Sequence, residues 1–362
     1  MSSAKYSAIV LLLAAVACLA AIAWWSPVPE RATDRGLYED MAAQWTIPHC
    51  NEPHCFRLLV PWTVGRLPGP AVAKWRAYAV ILNVVAGAGV AALCMAWGLS
   101  RQVALMAAVA SVFGFGSLYT LHDSFTADPL MFAIGPWAVW LLERQQLGWA
   151  ALVAIVGVTA KEFAAAPVYV FAGASWLRGN FAVAIRVFAI GTLAFAVWLA
   201  LQLLLMSRFD YSYGNSASTN FLGGGYLAVW LNGMSGRAAV AAMAAEFGAL
   251  WLLAPAGFVA APRSLKLLVV AALPVAALFA YVQQPDRALW NFHFLVTPLA
   301  ALMLARAPAP LAWATLGTFA FANLRLGAQI PAVPAARFAL LLSVGLALAC
   351  IGSSWRQRPV AA

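Results

Sequence analysis

Apolar residues occur in long runs that are separated by short polar connections over the whole chain. Runs of about 20 apolar residues are long enough to cross a bilayer as helices, and runs such as 181–206 show none of the alternation that a transmembrane β-barrel requires. The pattern predicts an all-α, polytopic transmembrane helical bundle of about ten to twelve spans, with residues 1–362 forming a single transmembrane domain. We expect spans near residues 7–25, 77–98, 103–121, 128–142, 148–163, 164–177, 181–206, 239–260, 267–283, 291–306, 310–325 and 337–354.

The loops between these runs differ in length and charge. Two of them, residues 26–76 and 207–238, are long, whereas the remaining loops on the other side are short and rich in Lys and Arg. Because cytoplasmic loops are enriched in basic residues, this density predicts a cytoplasmic N-terminus, with an uncleaved first helix and with both long loops in the periplasm. In this arrangement most acidic side chains, together with the pair Lys161-Glu162, fall on the outer face.

Composition agrees with a membrane protein of the bacterial plasma membrane. The chain is 64% hydrophobic and 9% charged, whereas soluble domains average about 25% charged residues. Its net charge of +10 comes from basic residues scattered singly, without the basic stripe of a nucleic-acid-binding protein, so anionic lipid and a phosphate-bearing substrate are the expected partners. Motifs for ATP, nicotinamide or HExxH zinc chemistry are absent from the sequence.

The stretch 34–61 concentrates polar residues between two apolar runs. If residues 35–44 are helical, Asp34 is either the N-cap of that helix or a general base at the membrane surface, and Tyr38 lies one turn later on the same face. Asp40 is a second candidate catalytic acid.

A Cys/His segment follows in the same loop, His49-Cys50-Asn51-Glu52-Pro53-His54-Cys55. A disulfide between Cys50 and Cys55 is favoured on an oxidising face, while two free thiols and a metal site stay open. The spacing of the two Cys/His pairs matches no familiar zinc motif.

Charged residues elsewhere give further candidates for substrate binding. Arg57 either reaches lipid headgroups or binds a phosphate. Asp123 and Asp128 precede Pro129, so at least one of them has a structural role at a helix start. The adjacent charges of Lys161 and Glu162, and likewise Arg287, are equally compatible with structural pairing and with ligand binding.

Taken in order, these segments resemble the GT-C superfamily of membrane glycosyltransferases, in particular bacterial mannosyltransferase-like membrane proteins. The matching elements are Asp34-x-x-x-Tyr38, Phe56-Arg57-x-Leu59-x-Pro61, Asp123…Asp128-Pro129, Lys161-Glu162 and Arg287…Asn291…Phe294-x-x-x-Pro298. Two features depart from the better-known members: this sequence has no large C-terminal soluble domain, and it has a Cys/His insertion before Arg57.

The resemblance implies transfer of a sugar from a polyprenyl-phosphate-sugar donor to an acceptor on the outer face. The acceptor is a lipid, a glycan or a protein. By the same resemblance Asp34 is the general base, and Arg57, Lys161 or Arg287 faces the lipid phosphate. The use of a divalent metal stays open. Two alternatives are a transporter or flippase for a lipid-linked sugar or small anion, with Glu246 as a proton relay, and a scaffold subunit of an envelope-synthesis complex.

Overall fold

The computed structural model describes residues 3–26, 33–213, 246–282, 288–327 and 334–356, together with the single positions 228, 232 and 244. These residues form α-helices joined by turns and short 3₁₀ segments, with no β-strand in the described part. The helices are α1 Ser3–Trp25, α2 Thr33–Gln44, α3 Leu59–Thr63, α4 Ala71–Ala96, α5 Arg101–Val112, α6 Phe115–His122, α7 Asp128–Glu143, α8 Leu147–Val158, α9 Ala166–Leu177, α10 Phe181–Phe209, α11 Leu250–Ala260, α12 Arg263–Val282, α13 His293–Leu304, α14 Ala309–Gly327 and α15 Pro334–Arg356. The all-α prediction is confirmed.

Four of the described helices are long and apolar enough to cross a membrane: Ala71–Ala96, Phe181–Phe209, Arg263–Tyr281 and Arg337–Trp355. A fifth span is obtained if α5 and α6, which are bent by 40° at their junction, are counted as one. The predicted span at 103–121 corresponds to this pair and is not one continuous helix. It breaks at Gly114, which adopts an extended conformation ahead of α6. Four shorter apolar helices accompany these spans, and the total of ten to twelve spans stays a prediction.

The bundle is built around α4 and α7, which pack along each other. α4 also contacts α5 and α1, while α5 packs against α13 and α13 against α11. On the other side of α7, α8 and α9 pack against α10, and α12 packs against α9. Only 22% of the most apolar 18-residue stretch of α10 is buried, so most of this helix is available to contact lipid.

Close crossings and polar contacts fix the helices in the apolar interior. Gly257 in α11 lies directly over the backbone of Leu299 in α13, where a Cβ atom would collide with the carbonyl group. The imidazole of His293, fully buried in α13, contacts the Ser111 hydroxyl at 2.9 Å and the Phe132 carbonyl at 3.1 Å. These contacts join α13 to α5 and α7, and they satisfy polar atoms that lipid could not.

The long loop before α4 is a folded element, shorter than predicted because α4 begins at Ala71. Its core is a separate apolar cluster that includes Tyr38, Met41, Phe56 and Trp75. The 3₁₀ segment Pro53–Phe56 and α3 follow α2, and the Leu59 amide donates to the Thr159 carbonyl at the end of α8 (3.1 Å). The loop is thereby packed onto one end of the bundle.

Candidate functional site

Tyr38 is the centre of a polar cluster at that end of the bundle. Its side chain is fully buried, and its ring stacks on Trp75 at 5.4 Å between centroids. Trp75 in turn contacts Phe125 at 5.1 Å, in the segment that precedes α7. Because Asp34 lies one turn before Tyr38 in α2, the same helical face presents both side chains toward the bundle.

The Cys/His segment holds two side chains against this face. Cys50 and Cys55 form a disulfide, with their Cα atoms 6.4 Å apart. The His54 Nε2 atom lies 3.5 Å from the Asp34 Oδ2 atom, and both side chains are about one quarter exposed. Arg57 follows the 3₁₀ turn and has a side chain that is only 13% exposed.

Two ion pairs complete the cluster. The Lys161 ammonium donates to the Asp128 Oδ1 atom, with both side chains 8% exposed, and the Arg57 Nη2 atom donates to the Glu162 Oε1 atom at 3.2 Å. Asp128 begins α7 with Pro129 in the next position, and Lys161 and Glu162 lie in the turn between α8 and α9. We call the set Asp34, Tyr38, Arg57, Asp128, Lys161 and Glu162 the Tyr38 cluster.

The charges of the cluster act on one another. Burial raises the pKa of Tyr38 well above its ordinary value; the positive charge of Arg57 opposes this, and the negative charges of Asp34 and Asp128 add to it. For Glu162, burial tends to raise the carboxyl pKa, but the charges of Arg57 and Lys161 outweigh it and lower that pKa. Glu162 is thus held as a carboxylate and Tyr38 as a neutral phenol at neutral pH.

Two buried polar atoms of the cluster lack a hydrogen-bond partner among the described residues. They are the Tyr38 hydroxyl and the Arg57 Nε atom; the Arg57 guanidinium nevertheless lies near enough to the Tyr38 hydroxyl to oppose the rise of its pKa through both charge and hydrogen bonding. A buried donor without a partner costs about 1–3 kcal/mol, so such atoms require an explanation, for instance a ligand or a water molecule that the protein alone does not supply. The cluster therefore has hydrogen-bonding capacity to spare for a polar ligand.

Three further residues were predicted for the site, and the structure separates only Asp40 from it. Asp40 is exposed on α2 and has no ion-pair or hydrogen-bond partner in the described part of the chain. Asp123 is half-buried directly after α6, five positions before Asp128. Arg287 lies outside the described residues.

Other residues were not predicted for the site. The sequence indicated His54 only as a possible metal ligand in the Cys/His segment. In the structure its ring contacts Asp34 and meets the Tyr38 ring edge-on, with 6.5 Å between the centroids. Trp75, near the start of α4, was not singled out, because it carries no charge and lies in the predicted loop 26–76. The pair formed by Arg35 and Glu39 at 3.0 Å could have been inferred from its i, i+4 spacing.

The described residues contain no group of three or more His, Cys, Asp or Glu side chains arranged to hold a metal ion. The four candidate ligands of the Cys/His segment separate: the two Cys residues bond to each other, His54 turns to Asp34, and His49 pairs with Asp210 at 2.8 Å. The loop is also tied to the end of α10, because the His49 amide donates to the Phe209 carbonyl at 3.0 Å.

No protein-family model matches the chain, and no curated protein matches it in sequence. Several solved structures are similar in fold, among them two oligosaccharyltransferases. The oligosaccharyltransferase of Archaeoglobus fulgidus in its apo form has a TM-score of 0.50 and 13% identity over 94% of this chain. The archaeal oligosaccharyltransferase AglB of the same organism, in complex with an inhibitory peptide and a dolichol-phosphate, has a TM-score of 0.51 and 14% identity over 95% of this chain.

This chain spans 56% of the length of each of these structures. At such low identity the likeness shows the fold, and the fold is GT-C-like, as the resemblance of the sequence implied. The function must be argued from the site.

Proposed function

We propose that the protein is an inverting membrane glycosyltransferase. It takes a sugar from a polyprenyl-phosphate-linked donor and transfers it to an acceptor hydroxyl on the periplasmic face of the bacterial plasma membrane. Asp34 is the general base of this reaction. The GT-C-like fold, which the chain shares with oligosaccharyltransferases, supports the proposal but does not by itself assign an activity.

The observation that carries the proposal is the assembly of the Tyr38 cluster. Its members come from α2, from the Cys/His segment, from the start of α7 and from the turn before α9, yet their charges all bear on one another. The Asp34 side chain is 26% exposed, against 8% for Asp128, while Glu162, at 28%, is already paired with Arg57. A base needs access to a substrate, whereas cations that bind a phosphate act best where water is excluded.

The reaction follows from these roles. The acceptor hydroxyl attacks the anomeric carbon of the donor while Asp34 takes its proton, and the bond between that carbon and the phosphate oxygen breaks. Polyprenyl phosphate leaves with the electron pair, and its developing negative charge is stabilised by Arg57 and Lys161. A single displacement inverts the anomeric configuration. His54 orients the Asp34 carboxylate.

The pairing of both cations with carboxylates is consistent with this role. A permanently buried cation without a partner would be costly, so Glu162 and Asp128 stabilise Arg57 and Lys161 before the donor binds. The spare Nε donor of Arg57 is the group we assign to the phosphate.

Replacement of Asp34 by Asn tests the base. With purified protein, a labelled polyprenyl-phosphate sugar and a lipid extract, we expect product formation to fall by about 10²–10⁴-fold, the contribution of a general base. Folding and membrane insertion should be unchanged, because the Asp34 side chain is partly exposed and the amide keeps its shape. Asp40→Asn is the matched variant on the same helix, and we expect it to retain activity because Asp40 is exposed and away from the cluster.

Three results would contradict the proposal in different ways. Full activity in Asp34→Asn would exclude Asp34 as the base, and loss confined to Asp40→Asn would move the base to that residue. Uptake of the labelled lipid without product would indicate a transporter, in which the fully buried Glu246 would be the first residue to replace. Neither product nor uptake with any donor would favour a scaffold role.

A further inference from the structure

An open pocket of roughly 500 Å³ lies between α2, the turn that follows α3 and the first turn of α4. None of the charged residues of the Tyr38 cluster lines it. Its lining includes Glu39, Trp45, Gly65, Arg66, Lys74 and Trp75. The pocket is therefore a second polar site, and the function proposed above does not use it.

The lining of this pocket carries two cations and one carboxylate, and the carboxylate is paired with another residue. Glu39 is neutralised by Arg35, whose Nε atom lies 3.0 Å from its carboxylate. Arg66 and Lys74 take part in no ion pair within the described part of the chain, in contrast to Arg57. Two cations thus face one pocket without a carboxylate of their own.

Both cations are held in place by backbone carbonyls. The Arg66 Nε atom donates to the Ala42 carbonyl at 3.0 Å. The Lys74 ammonium donates to the Gly65 carbonyl and, at 3.1 Å, to the Leu67 carbonyl. A guanidinium has five N–H donors, so about four remain on Arg66 for a ligand. An ammonium has three, so about one remains on Lys74.

Packing fixes the geometry of these donors. Gly65 lies so close to α2 that a Cβ atom would collide with the Ala42 side chain and with the Pro61 carbonyl. The Arg66 guanidinium lies over the Trp45 ring, with its Cζ atom 3.2 Å from the ring centroid. A flat guanidinium stacked in this way directs its remaining N–H groups sideways, in the fork geometry that suits phosphate oxygens.

The depth of the pocket indicates where its ligand resides. Lys74 and Trp75 belong to the first turn of α4, which is a membrane-spanning helix. Trp45 in the pocket lining is 52% exposed, and Leu67, whose carbonyl accepts from Lys74, is 53% exposed. Exposed Trp side chains at the end of a span are typical of the interface between headgroups and acyl chains, and the phosphates of lipids lie at that level.

We propose that this pocket binds a phosphate ester through Arg66 and Lys74, and that the phosphate of an anionic lipid headgroup is its ligand. Basic pockets at the ends of transmembrane helices bind such headgroups. The exposed Trp45 and Leu67 would contact the glycerol and acyl region of the same lipid. A soluble phosphate ester offers the same chemistry without the apolar part.

The test measures binding of phosphatidylglycerol to the detergent-solubilised protein by native mass spectrometry. We expect Arg66→Gln combined with Lys74→Gln to weaken binding by roughly 30-fold, the effect of removing two basic groups near a membrane surface. The matched control combines Arg144→Gln with Lys266→Gln. These two cations also lie over aromatic rings, those of Trp140 and Phe258, and they bind no carboxylate in the described residues.

Retained affinity in the Arg66→Gln/Lys74→Gln variant would overturn the proposal, and so would an equal loss in the control variant. Thermal unfolding checks that the variants fold. If the double variant does not, Arg66→Gln alone decides, because Arg66 is exposed and its loss leaves the Lys74 contacts intact.

Two further probes identify the source of the phosphate. Diacylglycerol lacks the phosphate and should not bind with comparable affinity; equal binding would overturn the proposal. Glycerol 3-phosphate carries the phosphate without acyl chains. If millimolar glycerol 3-phosphate leaves phosphatidylglycerol bound, the lipid source is supported, whereas complete displacement supports a phosphate site that takes soluble esters. Because no arm measures glycosyl transfer, the outcome is independent of the proposed function.

Discussion

A charged cluster lies at each end of α7. The two clusters differ in whether all their buried polar atoms have hydrogen-bond partners. At the start of α7 Asp128 pairs with Lys161 inside the Tyr38 cluster. At its end, 15 residues or about 22 Å away, the Glu143 Oε1 atom accepts from Arg178 Nη2 at 3.0 Å and from Trp97 Nε1 at 3.2 Å. The first cluster is more buried and includes buried polar atoms without partners, whereas Glu143, Arg178 and Trp97 have none.

This difference indicates that the Glu143 group holds helices together, whereas the Tyr38 cluster is suited to binding a ligand. The group around Glu143 joins the ends of α7 and α9 to the turn after α4, and Arg178 also lies 3.5 Å from the Ser264 carbonyl at the start of α12. Its atoms are satisfied by one another, so it needs no ligand. The Tyr38 cluster holds charges in a buried position and keeps donors unused, which is typical of a site that binds a polar substrate.

The largest effect on stability should come from breaking the buried pair. Replacement of Lys161 by Met leaves the Asp128 carboxylate, 8% exposed, without its cation, and we expect the free energy of unfolding to fall by about 3–5 kcal/mol. Denaturant unfolding in detergent micelles measures it. The double variant Lys161→Met/Asp128→Leu should recover part of the loss, because no charge then remains buried.

Removal of the disulfide should have an intermediate effect that is confined to the first end. Cys50 and Cys55 close a loop of about six residues, for which chain entropy predicts a loss of roughly 2 kcal/mol. We expect a reductant to lower the melting temperature of the wild-type protein and to leave that of Cys50→Ser/Cys55→Ser unchanged. Cys18, Cys94 and Cys350 are free thiols, so a response of the double variant would contradict this account.

The smallest effect should follow from a change at the other end of α7. Arg178 is one quarter exposed, and a partly exposed ion pair contributes about 1 kcal/mol or less. Arg178→Met should therefore lower the free energy of unfolding by no more than this amount, with glycosyl transfer within about two-fold of the wild type. A destabilisation as large as that of Lys161→Met, or a loss of transfer comparable with that of Asp34→Asn, would erase the distinction between the two clusters.

Much of this organisation could be predicted from local pattern. The apolar runs predicted the helical class, and Asp128-Pro129 predicted the start of α7 at its observed position, because Pro fits the first turn of a helix. The segment 103–121 was predicted as one span because periodicity does not register a bend. The break at Gly114 depends on packing against Trp290, whose ring occupies the space that a side chain at Gly114 would need.

The sequence predicted which residues belong to the site better than it predicted which of them contact one another. Asp34, Tyr38, Arg57, Lys161 and Glu162 were all chosen as charged or polar residues in an apolar chain, where such residues are costly without a role. Their partners were not predictable. The adjacent charges of Lys161 and Glu162 left pairing and ligand binding equally open, and the structure shows that Lys161 binds Asp128 and Glu162 binds Arg57; Lys161 is extended, and Glu162 begins the following 3₁₀ segment.

By itself the sequence determined that the chain is a helical membrane protein and that its few acids concentrate before and between the spans, since hydrophobicity and chain order alone fix both. Only the tertiary structure decided which of those acids meet. Asp34 and Asp40 are the same type of residue in the same helix. Because a helix turns by about 100° per residue, they lie on different faces of it. One of them therefore faces the Tyr38 cluster and the other is exposed. Of the two cations that complete the site, Arg57 follows Asp34 closely in the chain, whereas Lys161 comes from more than 100 residues further along, and only packing brings it there.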